Sequence, residues 1–247
     1  MVKTKLEQTQ AESGIDLPLL STISFKNTTR LLPSKFSPVD RAEAPLYRLA
    51  DNAGALAEIS EVEKKSDPLV RAENNLLPGI SPQELVARVP FASVINAAFA
   101  YTSDGGSRFN TNDRGAWYAA KSVATARTEL IFHATARLVA MGEFNDEISY
   151  DEYLADFSGD YHDLRISPGF EATLAPDPYV QSPILAEALL ANGSLGITYP
   201  SVRHAGGVCI AGFRPALVTH VRKGRTFRFR WAGSRKPTIE LVGGARK

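Results

Sequence analysis

The sequence predicts an α+β fold built as a single domain. Segments with strand character stand on both sides of a helical middle, and they do not alternate regularly with helices as they would in a doubly wound sheet. The chain of 247 residues is long enough for one substantial core, and its 44% hydrophobic and 22% charged residues are typical of a folded protein. Residues 1–44 are rich in Lys, Glu, Gln, Ser and Thr. We therefore expect an N-terminal arm at 1–44 and a folded domain at 45–247.

Composition argues against several classes of protein. The net charge of +1 points to no oppositely charged partner. The start of the sequence, residues 1–7, lacks the apolar stretch of a signal peptide, and no segment approaches the roughly 18 apolar residues of a membrane helix. A disulfide within the chain needs a second cysteine besides Cys209, and the four histidines have no close ligand spacing. We expect a cytoplasmic protein with no metal ion and no membrane contact.

The first elements of the domain lead to a glycine turn. The sequence predicts a short strand at 44–50 with Arg48 near its end, and helices at 54–65 and 82–89. Gly105 and Gly106 permit positive φ angles and remove side-chain bulk just before Arg108. Such a turn lets the backbone approach a phosphate-bearing ligand closely.

A strand and a long helix follow. Residues 116–120 are predicted to form a strand, and Ser122 is a suitable N-cap for the helix after it. Apolar residues recur there every three or four positions, which predicts one buried face. Helical spacing places Glu129 at the edge of that face, with Thr125 and His133 as its neighbours. An ionisable residue that lines a cleft would be expected at such a position. The buried face is formed by Val123, Ala126, Leu130, Ala134, Leu138 and Met141.

The remaining chain alternates between surface and strand predictions. Residues 143–163 hold eight acids and no Lys or Arg, which indicates a solvated, loop-rich surface with short helices. A helix is predicted at 182–191, ending at the C-cap pair Asn192-Gly193. The predicted strands after it lie at 195–199, 208–213, 217–222, 226–231 and 238–242.

Four short segments together resemble the RES family of bacterial toxins. They are, in chain order, Leu46-Tyr47-Arg48, Gly105-Gly106-Ser107-Arg108-Phe109-Asn110, Thr125-Ala126-Arg127-Thr128-Glu129 and Tyr199-Pro200-Ser201-Val202-Arg203, with Tyr118 between the second and the third. The Arg, Glu and Ser that give the family its name match Arg108, Glu129 and Ser201. The resemblance covers roughly residues 46–242, and the long link between Arg48 and Gly105 is interpreted as an insertion at about 54–100.

The resemblance implies chemistry on NAD+ and a role for each matching residue. Arg48 and Arg108 would bind the pyrophosphate, because guanidinium forms paired hydrogen bonds to phosphate oxygens. Glu129 would stabilise the cation-like ribose of the transition state. Tyr118 would stack on the nicotinamide or direct its hydroxyl at the ribose. Ser201 would orient nicotinamide, ribose or Glu129, with Arg108, Glu129 and Ser201 as the catalytic set.

The family resemblance also implies a fold and a partner. The fold would resemble that of ADP-ribosylating toxins, a split mixed or antiparallel sheet with flanking helices and NAD+ in its cleft. The partner would be an antitoxin, with a DNA-binding region of the Xre type, that blocks the active site and so prevents growth arrest. Arg203 and His204 either line the same pocket or belong to a polar loop. Phe109 and Asn110 are expected to hold the shape of their motif.

Two alternatives stay open at this stage. ADP-ribose passes either to a protein acceptor, which makes a mono-ADP-ribosyltransferase, or to water or phosphate, which depletes NAD+. In a different class of function, the basic C-terminal strands would bind nucleic acid or protein without catalysis. There Phe227, Phe229 and Trp231 alternate with Arg228 and Arg230. The acidic region at 143–163 offers these arginines an internal counter-charge.

Overall fold

A seven-stranded mixed sheet forms the centre of the protein. The structure is a computed structural model that describes residues 16–37 and 66–243. Within these ranges the strands are β1 (Leu20–Pro33), β2 (Trp117–Ala120), β3 (Asn145–Asp163), β4 (Gly196–Pro200), β5 (Val208–Gly212), β6 (Thr219–Ala232) and β7 (Thr238–Gly243). The α-helices are α1 (Pro68–Glu73), α2 (Ala92–Ala100), α3 (Val123–Met141) and α4 (Gln181–Ala191). The predicted α+β class is confirmed.

The sheet closes on itself at one end. Its strand order is β1-β2-β5-β4-β3-β6-β7, and β3 also pairs with β1, so the first five strands of this order form a ring. The β3–β4 pairing is parallel, whereas the other pairings are antiparallel. Strands β6 and β7 extend from β3 outside the ring. The ring brings β1, β2 and the β4–β5 connection close to the start of α3.

Strand β3 corrects the prediction for the acidic region. Residues 143–163 were expected to be a loop-rich surface, but 145–163 form a strand that pairs with β1, β4 and β6. Tyr153, Phe157 and Tyr161 are buried along it. Asp151 and Glu152 are buried as well, because Lys223 and Arg225 of β6 neutralise them at 2.8 and 2.9 Å. The counter-charge lies on another strand, and local composition does not show it.

Strand β1 lies inside the segment that was predicted to be an arm. It pairs with β3 from Leu20 opposite His162 to Pro33 opposite Tyr150, with a bulge between Phe25 and Thr28. Ile23 and Phe25 are buried, and the Ser and Thr residues between them are compatible with a pleated strand. Residues 20–33 are therefore part of the sheet. The predicted boundary between residues 44 and 45, the strand at 44–50 and the helix at 54–65 lie outside the described residues.

The helices follow their sequence signals with two exceptions. Ser122 caps α3 by accepting a hydrogen bond from Thr125 N at 3.2 Å, and Gly142 ends it with a φ of 70°. Met141, predicted to face the core, is 60% exposed because the helix ends there. The segment 82–89 forms only the 3₁₀ turn Pro82–Glu84, while the apolar run after it becomes α2.

An ion pair attaches the described part of the predicted insertion to the sheet. Arg114 forms two hydrogen bonds with the Glu84 carboxylate, at 3.0 and 2.7 Å, and donates to the carbonyls of Gly79 and Phe213. Because the Arg114 side chain is almost fully buried, this pair fixes the segment firmly. Among residues 16–37 and 66–243, none of the helices has the length and apolar character needed to cross a membrane.

Candidate active site

A cavity of about 460 Å³ lies where β1, β2 and the first half of α3 meet. Arg108, Tyr118 and Glu129, predicted from sequence as site residues, line it. Ser201 lies directly behind Glu129 and is hydrogen-bonded to it. The other lining residues are Thr29, Arg30, Leu31, Ser103, Gly106, Ser107, Ala119, Ala120, Ala126, Leu130, His133, Tyr179, Tyr199 and Cys209.

Glu129 is held by the loop between β4 and β5. Ser201 Oγ donates a hydrogen bond of 2.5 Å to Glu129 Oε1. Arg203 Nε lies 3.8 Å from the other carboxylate oxygen, Oε2. Glu129 is thus an ionisable group at the rim of the core, as the helical periodicity predicted, and each of its two oxygens has a partner on the same loop.

Backbone and side-chain bonds fix Ser201 itself. Its Oγ accepts hydrogen bonds from the backbone N–H groups of Arg203 and His204, at 3.3 and 3.0 Å, so its proton points to Glu129. His204 Nδ1 is 2.9 Å from Thr125 Oγ1, which links the loop to the first turn of α3. Gly207 packs so closely on Thr125 that a Cβ there would lie 2.8 Å from its side chain. The loop is therefore a rigid support, and Ser201 has the bonds of an orienting residue.

The glycine turn before Arg108 has the positive φ angles that the sequence predicted. Gly105 and Gly106 have φ angles of 83° and 75°. A Cβ on Gly106 would lie 2.3 Å from the carbonyl oxygen of Asn110, so the turn closes only without a side chain there. Ser107 and Asn110 pair across the turn. Phe109 is buried against Tyr199, with ring centroids 4.7 Å apart, and anchors the turn in the core.

The Arg108 guanidinium is buried, and Nη1 is the terminal nitrogen with hydrogen-bond partners among the described residues. Nη1 donates to the carbonyl oxygens of Thr173 and Ala175, at 3.3 and 2.8 Å. The guanidinium also lies 4.4 Å from the centre of the Tyr179 ring. Within the described part of the chain, Nη2 is buried and has no hydrogen-bond partner. A buried, unpartnered guanidinium nitrogen on a cavity wall fits an anionic ligand.

Tyr118 supports the turn with its hydroxyl. The hydroxyl accepts a hydrogen bond from Phe109 N and donates one to Asn110 Oδ1, both at 2.8 Å. Burial raises the pKa of the phenol well above its ordinary value, so it stays protonated. Donation of its proton to the ribose would require the bond to Asn110 to break. The ring remains a wall of the cavity, on which stacking stays a prediction.

Arg30 is a cavity residue that sequence reasoning missed. It comes from β1, donates to the Tyr118 carbonyl at 3.2 Å and lies 5.0 Å from the centre of the Trp117 ring. Burial lowers its pKa to about 10, which leaves it charged at neutral pH. The alternation around Ile23 and Phe25 was the available signal for β1. Arg48, which was predicted to bind pyrophosphate, lies outside the described residues.

His133, Cys209 and Tyr199, which also line the cavity, are neutral at pH 7. Desolvation, followed by the nearby charge of Arg203, lowers the pKa of His133, although its ring is partly exposed at the rim. Burial raises the pKa of the Cys209 thiol to about 12 and that of Tyr199 well above its usual range. Cys209 is therefore a wall residue without nucleophilic character. Within the described ranges, no group of three or more His, Cys, Asp or Glu residues is arranged to hold a metal ion.

The charges of the site favour a ligand with negative groups and a developing positive centre. Arg30 and Arg108 bring positive charge to the wall, and Arg203 lies beside Glu129. Glu129 is the carboxylate among the lining residues. Guanidinium groups bind phosphate oxygens, and a fixed carboxylate stabilises positive charge as it develops on a sugar carbon.

The basic C-terminal strand is neutralised within the fold. Arg222, Lys223 and Arg225 of β6 each pair with an acid of β3. Arg228 and Arg230 both pair with Glu147. The aromatic residues between them, Phe227, Phe229 and Trp231, are buried. Since the aromatic face is core and the basic face has its counter-charge, no observation favours a nucleic-acid interface on this strand.

Comparisons with known proteins identify the domain. The sequence model of the RES domain matches residues 85–232, which is more than half of the chain. Among solved structures, the chain is similar to one in the crystal structure of the M. tuberculosis MbcT–MbcA toxin–antitoxin complex, with 17% sequence identity and a TM-score of 0.38. The matched region covers 49% of this chain and 70% of that chain. A comparison with curated proteins gave no match.

Proposed function

The chain belongs to the RES domain family, and on this premise we propose that it is the toxin of a toxin–antitoxin pair that breaks the nicotinamide–ribose bond of NAD+. The observation that carries the proposal is the oriented Glu129 carboxylate on the wall of a cavity that is also lined by Arg108, whose buried Nη2 has no hydrogen-bond partner among the described residues. Both residues belong to the segments that resemble the family. Their geometry suits a substrate with a pyrophosphate and a reactive ribose.

Each residue has a defined part in the proposed reaction. Arg108 binds phosphate oxygens through Nη2, and Arg30 of β1 adds positive charge to the wall of the cavity. Glu129 stabilises the positive charge that develops at C1′ of the ribose, and Ser201 keeps its carboxylate oriented through the bond to Oε1. Tyr118 fixes the turn that carries Arg108.

The bond changes balance without a metal or redox partner. The bond between C1′ and the nicotinamide nitrogen breaks, and its electron pair leaves with nicotinamide, whose ring becomes neutral. An oxygen or nitrogen atom of the acceptor then bonds to C1′. A water, hydroxyl or amine acceptor loses a proton in this step, whereas a phosphate oxygen attacks as an anion. ADP-ribose attached to the acceptor is the second product.

The proposal also includes the acceptor of ADP-ribose and the antitoxin partner. ADP-ribose passes to a protein side chain or to water or phosphate, and both routes use the same donor site. An antitoxin with an Xre-type DNA-binding region would block the cavity and prevent growth arrest. The exposed Phe132, which packs against Arg203, offers such a partner an apolar contact.

One experiment tests the donor chemistry and separates the acceptors. The purified protein is incubated with adenylate-labelled NAD+ and bacterial lysate, with and without added phosphate, and the label is followed beside Glu129→Gln. Label on a protein band indicates a transferase, and label in ADP-ribose or ADP-ribose phosphate indicates NAD+ depletion. Unchanged NAD+ with both proteins would refute the proposed function.

A further inference from the structure

One segment reaches the cavity at Tyr179 and is held by two arginines. We call residues 173–179 the strap; it begins in the 3₁₀ helix Glu171–Leu174 and ends at Tyr179, which lines the cavity. Arg108 reaches the strap from the glycine turn, and Arg203 reaches it from the β4–β5 loop. Segments far apart in sequence therefore meet at the strap.

Each arginine uses only one of its nitrogens to form hydrogen bonds with the strap. Arg108 donates through Nη1 to the carbonyls of Thr173 and Ala175. Arg203 donates through Nη2 to the Pro176 carbonyl at 2.7 Å and to the Tyr179 hydroxyl at 3.4 Å. In the described structure, Nη2 of Arg108 and both Nε and Nη1 of Arg203 are buried without a hydrogen-bond partner.

The two guanidinium groups are buried and fixed in orientation. Arg108 is 6% exposed, and the Arg203 side chain is 7% exposed. Aromatic rings support both, since Arg108 lies on Tyr179 at 4.4 Å and Arg203 lies on Phe132 at 3.8 Å. Buried polar nitrogens without partners are costly, so an anionic ligand that supplied hydrogen-bond acceptors to them would gain binding free energy. Glu129 Oε2, 3.8 Å from Arg203 Nε, compensates the charge without forming a hydrogen bond.

We propose that Arg203 is a further binding residue, which acts with Arg108 as a paired site for a phosphate or pyrophosphate group. The strap carbonyls orient the two guanidinium groups before the ligand arrives, so the free nitrogens lose little freedom on binding. Tyr179 contacts both members of the pair, since the Arg108 guanidinium lies over its ring and Arg203 Nη2 is 3.4 Å from its hydroxyl. The inference deepens the proposed function, because the pyrophosphate of NAD+ is the group that this site would hold.

Binding is measured in Glu129→Gln, which keeps the substrate intact. Isothermal titration with NAD+, ADP, adenosine and inorganic pyrophosphate compares this protein with versions that also carry Arg203→Gln or Arg203→Lys. We expect Arg203→Gln to lower the affinity for NAD+, ADP and pyrophosphate by roughly 10- to 100-fold, because hydrogen bonds between charged groups are lost. The affinity for adenosine should stay unchanged. Lysine cannot reach the Pro176 carbonyl and a phosphate together, so Arg203→Lys should fall between the two.

A matched variant controls for the loss of one positive charge. Arg230 of β6 pairs with Glu147 and is not among the residues that line the cavity, so Arg230→Gln should bind every ligand as the parent does. If Arg203→Gln does not fold, Arg203→Lys carries the test. Pyrophosphate and ADP affinities unchanged in Arg203→Lys and Arg203→Gln would overturn the paired site. Pyrophosphate bound through Arg203 without any NAD+ cleavage by the unmodified chain would keep the site and refute the proposed function.

Discussion

Ser201 Oγ lies 2.5 Å from Glu129 Oε1, although the two residues are 72 positions apart in the chain. The bond joins the second turn of α3 to the β4–β5 loop, and the backbone N–H groups of residues 203 and 204 fix the direction of the serine proton. A carboxylate held in this way needs little reorganisation when charge develops next to it.

Removing the serine hydroxyl should therefore slow the reaction without unfolding the protein. Ser201→Ala frees Glu129 Oε1, and we expect nicotinamide release to fall roughly 10- to 100-fold in kcat, less than for loss of the carboxylate itself. Ser158→Ala, at an exposed position of β3, is the matched control and should leave the rate unchanged. An unaltered kcat in Ser201→Ala would show that the serine has no orienting role.

The two glycines of the turn should differ in their tolerance of a side chain. Both have positive φ angles, but an alanine Cβ at Gly105 meets open space, whereas one at Gly106 meets the Asn110 carbonyl at 2.3 Å. Gly105→Ala should cost about 1–2 kcal/mol of unfolding free energy from the backbone alone. Gly106→Ala should cost more and should also reduce NAD+ binding, because the turn that carries Arg108 must open. Urea unfolding and titration of the two variants measure this, and equal losses would contradict the close approach.

Tyr118→Phe tests the hydroxyl that supports the turn. The variant leaves the N–H of Phe109 and Oδ1 of Asn110 without their partner, so we expect about 1–3 kcal/mol lower unfolding free energy. Tyr101→Phe is a suitable control, since the Tyr101 hydroxyl bonds Asp67 at an exposed site and its loss should cost less. A Tyr118→Phe protein as stable as the parent, with lower activity, would place the hydroxyl on the substrate instead.

Acid should weaken the fold through His162. Its imidazole is buried against Ser194, and burial lowers its pKa from 6.5 to about 4. Between these values the unfolded chain binds a proton that the folded protein does not. The unfolding free energy therefore keeps its full value above pH 6.5. It falls as the pH drops towards 4, by at most about 1.4 kcal/mol per pH unit.

The variant His162→Gln should flatten this dependence. Urea unfolding between pH 4.5 and 7 compares it with the parent and with His133→Gln, since the pKa of His133 is also lowered. Glu152 affects stability only at lower pH. Burial acts to raise its pKa, but the hydrogen bonds from Arg225 lower the pKa on balance. Its contribution is kept above pH 4.5 and lost only as the pH falls further. An equal slope in parent and His162→Gln would contradict the assignment.

The sequence predicted those elements whose signals come from residues close together in the chain. The helical stripe placed Glu129 at the rim of the core, and the glycine pair placed Arg108 beside a turn with positive φ angles. Strand β3 was missed because its buried acids are stabilised by cations about 70 residues away, as in the bond between Arg225 and Glu152. Arg30 and the partners of Arg203 were missed for a similar reason. Their place in the site depends on which distant strand or strap they meet, and spacing along the chain does not encode that.

The most direct test of the central claim is nicotinamide release by the purified protein from NAD+, measured beside Glu129→Gln. The substitution removes the negative charge but keeps an oxygen that can accept the Ser201 hydrogen bond. Stabilisation of charge at the ribose by Glu129 predicts release by the parent and a rate at least about 100-fold lower in the variant. Equal release by both proteins, or none by the parent, would contradict it.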